Sequence, residues 1–320
     1  MIRLLQHEAI DKSAWDNCIE NALNGNLYAY SWYLDVVSPA WCALVEDGYE
    51  KVFPLPVSSK AGIRYVMQPF FTQQLGLYSR QKLIAGSLNE YLDQAERNYR
   101  YIDINLNAFN QVSPGRNAVE LTNLELDLCG DYGKISDGYK ENLKRNLKKA
   151  SGNKLTITKN VRPEEIISLF GKNKGADLPH LGRSQYSIIH RIAYQGIHKG
   201  IGETRGVYDE FNQLVAAALW INSHQKAVFL FSALSDSGKQ LNAMPLLIDS
   251  FIRDHSGMPL TLDFEGSNDE GLARFYSSFG AKRISYQRYV YDSLPLPIGM
   301  AIQIWRQSRI VIKKILHLSE

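Results

Sequence analysis

Twice along this chain a strand–turn–strand pair is followed by an extended segment, a helical pattern and a closing strand. In the first half, WCALVEDGYEKVFPLPVSS reads as two strands joined at Asp47-Gly48. RYVMQPFFTQQLGLYS then continues as extended chain, SLNEYLDQAERNY has helical spacing and YIDINLN returns to a strand. In the second half, TRGVYDEFNQLVAAALWIN is again strand, turn and strand. AVFLFSAL is the next strand, AMPLLIDSFIRDH an amphipathic helix and PLTLDFE a strand. SNDEGLARFYSSFG is a short helix, and RISYQRYVY alternates as a last strand. Such an order predicts two related units of mixed strands and helices, divided near residue 130.

The size of the chain permits this. Its 320 residues suit two domains, and 45% hydrophobic against 22% charged residues is an ordinary globular balance. A net charge of +3 does not by itself point to nucleic acid, so only local clustering could. Cys18, Cys42 and Cys129 stand far apart, and the histidines form no metal-ligating spacing. No metal is therefore expected, and reduced thiols in a cytoplasmic protein are. The first residues carry acids and no long apolar run, and no window is long and uncharged enough to span a bilayer.

Two segments carry concentrated charge. In DGYKENLKRNLKKASGNK, Leu143 and Leu147 share a helical face, while Lys140, Lys144, Arg145, Lys148 and Lys149 fill the rest. That face is either solvated or holds a polyanion such as tRNA. The last stretch, residues 296–320, reads as an amphipathic helix with Arg306, Arg309, Lys313 and Lys314.

The segment LTLDFEGSNDEGLARFYSSFG, residues 260–280, is a buried strand that ends on two acids and a glycine. Ser267 and Glu270 have the spacing of a capping box, and Gly280 suits a left-handed C-terminal position. Phe275, Tyr276 and Phe279 recur at helical spacing, as core residues do.

DFEGS, the short helix and FYSSFGA resemble the last acyltransferase-like unit of the FemABX peptidyltransferases and the related GNAT superfamily. The order AVFLFSAL, SDSGKQLN, AMPLLIDSFIRDH fits that unit. YKENLKRNLKKA resembles the start of the second unit, and PFFTQQLG the substrate-side strand of the first. The resemblance spans residues 25 to 295. It implies an α/β (α+β) fold of two GNAT-like lobes, each a mixed, mostly antiparallel sheet flanked by helices. Residues 1–130 would form the acceptor-side lobe, 131–295 the donor and reaction side, and 296–320 a terminal helix. It also implies direct transfer of an acyl or aminoacyl group, from acyl-CoA or aminoacyl-tRNA, to an amine of a cell-envelope or saccharide precursor.

Amine acylation needs a proton acceptor and a polarised carbonyl held together. Asp263 and Glu265 share a face if their strand stays regular, and one could accept the proton. The alternative is that Asp263 bonds a backbone amide and Glu265 is solvated near a cap. Tyr276 would serve as general acid to the leaving group if its hydroxyl reached the cleft; otherwise it packs in the core. Ser237, Gly238, Lys239 and Asn242 would contact a phosphate-bearing donor such as acyl-CoA, no cofactor being held permanently. Their run, GKQLNAM, departs from the glycine-rich pyrophosphate loop of GNAT enzymes, since Asn242 or Met244 stands where glycine is required. Phe71, Gln73 and Gln74 would line an acceptor pocket, with Lys144 and Arg145 on the substrate side. The departure at GKQLNAM leaves a second expectation open, a non-catalytic binding module on the same scaffold.

Overall fold

The computed structural model describes residues 1–60, 62–84, 86–177, 182–265 and 269–295. They fall into two compact units, one formed by Met1–Thr122 with the segment from Ser285, the other by Asn123–Ile284.

In the first unit, Ile2–Leu5, Cys42–Glu46, Lys51–Leu55 and Tyr78–Ser79 make a small antiparallel sheet. The expected turn between its middle strands is a short 3-10 segment, Asp47–Tyr49, whose Gly48 takes φ +74°. A second set of strands holds Val57–Lys60 antiparallel to Ile63–Met67 and Ile63–Met67 parallel to Tyr101–Asn105. Residues 288–292 of Lys282–Asp292 run antiparallel to Tyr101–Asn105. The helix Ser87–Asn98 buries Leu88, Tyr91, Leu92 and Ala95, the i, i+3, i+4, i+7 stripe of an amphipathic helix.

The expected extended run from 64 to 79 is not continuous. The parallel ladder ends at Met67↔Asp103, and the chain rejoins it only at Leu75↔Leu106. Pro69 cannot donate to a ladder and Phe71 sits at φ +55°, so the intervening residues leave the sheet. Buried backbone outside a ladder still needs partners, and side-chain amides supply them. Gln68 Oε1 accepts from Asn105 N at 3.0 Å, and Asn105 Nδ2 donates to the Gln73 carbonyl at 2.9 Å. Leu77 N donates to Asn110 Oδ1 at 2.7 Å, and Asn110 Nδ2 returns a bond to Leu77 O at 3.0 Å. Gly76, at φ +117°, lets this pair close, because a Cβ there would lie 2.3 Å from Asn110 Oδ1. Gly76→Ala is therefore expected to destabilise the protein by about 1–3 kcal/mol, through backbone strain and the broken amide pair. Urea denaturation checks this.

In the second unit the strand order is residues 123–127 of Ala118–Asp127, then Thr261–Asp263, Lys226–Leu234, Leu214–Ser223, Gly202–Tyr208 and Thr156–Lys159. Neighbours are antiparallel except Lys226–Leu234 with Thr261–Asp263, which are parallel. One core joins Leu124, Trp220, Phe229, Leu262 and Phe264 to Phe251 of helix Ala243–His255 and Tyr276 of helix Glu270–Ser277. Leu143 of the basic helix Glu141–Ser151 is buried in the same core, with Leu147 packed against it. On Pro163–Lys172, Phe170 meets Phe231 at 5.0 Å.

Helix Glu270–Ser277 is started by Asp269, whose Oδ1 accepts from Gly271 N at 2.8 Å and Leu272 N at 3.1 Å. The expected cap at Ser267 falls outside the described residues, as do Gly266 and the terminal helix over 296–320. Gly280 takes the expected left-handed conformation, φ +86°. Among the described residues no helix is long and apolar enough to cross a membrane.

The two units repeat one device. In each, a long helix leads to a strand that pairs in parallel with an earlier one, and the last registered pair includes an aspartate. The pairs are Met67↔Asp103 and Val228↔Asp263. In the first unit the strands meet again at Leu75↔Leu106. In the second, no further pairing joins these strands among the described residues.

Candidate active site

Lys226–Leu234 runs six residues past its last parallel pair, Val228↔Asp263, whereas Thr261–Asp263 ends there, so at this fork the longer strand leaves its neighbour. Just beyond the fork the long strand bulges. Phe229 faces Trp220 and Phe231 faces Leu219, so Leu230 is the extra residue. The bulge turns Phe231 to the face opposite Phe229.

The strand Thr261–Asp263 does not continue in regular form to Glu265. Glu265 adopts φ +54°, and its amide donates to Asp263 Oδ1 at 2.9 Å, closing a turn. The alternation that would place both acids on one face is therefore lost. The other expectation for this pair holds only for Asp263, which does bond a backbone amide; Glu265 is buried, not solvated. A turn at this point, fixed from inside by Phe264, explains why a buried strand ends on two acids.

Asp263 gathers a polar cluster that motif reading missed. Across the antiparallel register, Glu125 lies directly opposite it. Asn123 shares the face of Glu125, being two residues away on the same strand. Its Nδ2 donates to Asp263 Oδ1 at 2.9 Å and to Glu125 Oε1 at 3.3 Å. Lys226 Nζ lies 2.5 Å from Glu125 Oε1 and 3.9 Å from Asp263 Oδ2. Burial pushes the Asp263 carboxyl above the ordinary carboxylate range, Lys226 opposes this and Glu125 adds to it. Burial pulls the Lys226 ammonium down, but Asp263 and Glu125 outweigh it and hold its pKa above the usual lysine value. The available signals were the alternation in NLELD, which puts Asn123, Glu125 and Asp127 on one face, and a lysine opening the strand before the fork. In the first unit the counterpart Asp103 is held by Arg288, whose Nε and Nη2 each reach a carboxylate oxygen at 2.6 Å.

The remaining expected site residues are dispersed. Tyr276 is buried, its ring stacked on Phe264 at 4.6 Å. Asp236–Gln240, within the run expected to contact a donor, forms a short helix. Gly238 N donates to Ser235 Oγ and Lys239 N to Ser235 O, each at 3.0 Å. A Cβ on Gly238 would lie 2.3 Å from Val215 O, so this glycine serves packing. Lys239 Nζ is 3.4 Å from Asp236 Oδ1, and Asn242, at φ +56°, opens the long helix. Ser237 alone of these four lines a cavity of about 620 Å³, shared with Ser235, Gln213, Glu164, Glu165 and Lys172.

In the first unit, Tyr33 donates its hydroxyl to the Phe71 carbonyl. Gln73 and Gln74 are buried and bonded, Gln74 Nε2 to Gln73 Oε1 at 2.8 Å and Gln74 Oε1 to Ala108 N at 3.1 Å. These amides hold the loop. Lys144 and Arg145 are exposed on the basic helix in the second unit, Lys144 being 3.3 Å from Glu141. Among the described residues no group of three or more His, Cys, Asp or Glu side chains could hold a metal ion.

No protein-family model matches the chain, and no curated protein matches it in sequence. Solved structures do match in shape. The crystal structure of FemX superposes with a TM-score of 0.62 at 13% identity, over 92% of this chain and 98% of that one. This chain has the fold of FemX. The C-terminal domain of a putative lysylphosphatidylglycerol synthetase from Agrobacterium fabrum gives 0.54 at 10% identity, over 92% and 95% of the two chains. L-PGS from Bacillus licheniformis gives 0.51 at 12%, over 87% and 89%. Identities this low speak for the shared fold alone and leave the chemistry to the residues.

Proposed function

We propose that the chain is an N-acyltransferase that moves an acyl or aminoacyl group directly to an amine, with Asp263 as proton acceptor. The observation that carries this reading is the fork itself. A strand edge continues past Val228 beside a buried carboxylate, on a fold shared with FemX. An extended donor tail can lie along such an edge as an added strand does. The amine nitrogen attacks the carbonyl carbon of the thioester or ester, and the C–S or C–O bond breaks. Asp263 takes the ammonium proton, and the departing group is protonated in turn. No covalent acyl-enzyme is required. The acceptor is an amine of a cell-envelope or saccharide precursor, and the reaction is cytoplasmic.

Incubation with acyl-CoA species and aminoacyl-tRNAs, together with amine acceptors, tests the reading by mass spectrometry. A mass increment on the acceptor that depends on one donor is expected. Absence of any increment across both donor classes would refute it. One observation favours a binding module instead: the Gly238 and Lys239 amides, which a pyrophosphate would need, are spent inside the short helix. In that case a donor or CoA would raise the melting temperature with no transfer.

A further inference from the structure

We infer that Lys226 is a positioning residue, whose ammonium, bridging Glu125 and Asp263, favours the ionised Asp263 carboxylate beside the fork. The inference rests on the proton-acceptor role given to Asp263 above. Its geometry is a four-residue cluster on three adjacent strands, fixed by register and not by a loop. Glu125 stands opposite Asp263 on one side, and Lys226 begins the strand on the other.

The charges would not balance without the lysine. Asp263 is 5% exposed, so its ionised form lacks solvent stabilisation. Among the described residues, the charged side chains that act on it are Glu125, which repels it, and Lys226, which attracts it. Asn123 and the Glu265 amide give hydrogen bonds but no charge. Beside a like charge and in low dielectric, a carboxyl takes up a proton unless a cation is near. Lys226 is the cation of this cluster among the described residues. Its side chain is 38% exposed, so it reaches water while Asp263 does not. The ammonium closes on Glu125 at 2.5 Å and lies 3.9 Å from Asp263. It thereby neutralises the repelling neighbour and leaves an Asp263 oxygen for a substrate proton.

The inference gives a specific expectation for Lys226→Met. With the ammonium gone, Asp263 and Glu125 face one another uncompensated, and Asp263 keeps its proton to higher pH. The acidic limb of the kcat profile moves up by about one pH unit or more, a roughly ten-fold loss at fixed pH below the limb. Rate returns as pH is raised, and the donor KM changes little. Lys226→Arg keeps the charge and restores most of the rate, while Lys226→Gln, which keeps only a hydrogen-bond donor, does not.

A second measurement does not depend on turnover. Carbon-13 labelling of aspartate carboxyls, with Asp263→Asn for assignment, follows the titration of Asp263 by NMR in each folded variant. An upward displacement in Lys226→Met, reversed in Lys226→Arg, is expected. An unmoved carboxyl titration overturns the inference whatever the activity. A moved titration with a pH profile that does not follow it overturns the role of Asp263 as proton acceptor instead. If Lys226→Met does not fold, the comparison of Lys226→Gln with Lys226→Arg decides by the same two readouts.

Discussion

Asp263→Asn is expected to lower the rate of transfer by about 100-fold or more, the contribution of a positioned proton acceptor. The donor should still bind, because the strand edge that would grip it is untouched. Stability is expected to move the other way. The folded state holds the Asp263 carboxyl above its ordinary pKa, chiefly through burial. Its contribution to stability is therefore complete below the ordinary carboxylate pKa and is lost as pH rises through the raised folded value. Once pH has risen past that value, the native protein carries a buried charge that the amide variant does not. The melting temperature of Asp263→Asn minus that of the unaltered protein should accordingly be larger at pH 8 than at pH 4.5. Differential scanning calorimetry at the two pH values, beside transfer assays, checks both halves. A variant that loses activity and also loses stability equally at both pH values would point to a structural aspartate.

The largest expected loss of stability comes from Phe264→Ala. Phe264 is fully buried, stacked on Tyr276 at 4.6 Å with an interplanar angle of 19°. Its ring also lies 5.9 Å from Phe279 and 6.4 Å from Phe229. Removing it should destabilise the second unit by about 3–5 kcal/mol, the range for truncating a buried Phe to Ala. Phe264 lies between the two acids and its amide donates to Leu124 O at 3.0 Å, so the turn that holds Asp263 Oδ1 loses its inner support. Chemical denaturation and residual transfer activity should fall together. A loss of less than about 1 kcal/mol, the level of an ordinary substitution, would show that the turn stands without the ring.

Much of the fold is readable in the residues because periodicity reports burial. The helix stripe Leu88, Tyr91, Leu92, Ala95 and the hairpin around Asp47-Gly48 are local patterns with local causes. The strand at residue 261 and the helix at 243–255 are equally plain. What could not be read is set by pairing between distant segments. The seven residues from 68 to 74 look like strand but leave the ladder. The reason lies in Asn105 and Asn110, more than 30 residues away, which bond their backbone and that of Leu77. The acid pair at 263 and 265 stands out in the residues, yet its geometry depends on a left-handed Glu265 that composition does not announce. Lys226 and Glu125 escaped because they are single charges on otherwise apolar strands. Only the register, Glu125 opposite Asp263 and Lys226 beside Thr261, brings them together. Tyr276 shows the converse, its helical spacing with Phe275 and Phe279 being a core pattern and the core being where it lies.

Amide hydrogen exchange across residues 226–234, with and without donor, tests most directly whether the forked strands form the reaction groove. Protection on adding an acyl-CoA or aminoacyl-tRNA analogue, confined to residues past Val228 and to the turn at Asp263, is the expected result. Exchange there that no donor slows, while the same donors protect some other surface, would contradict it.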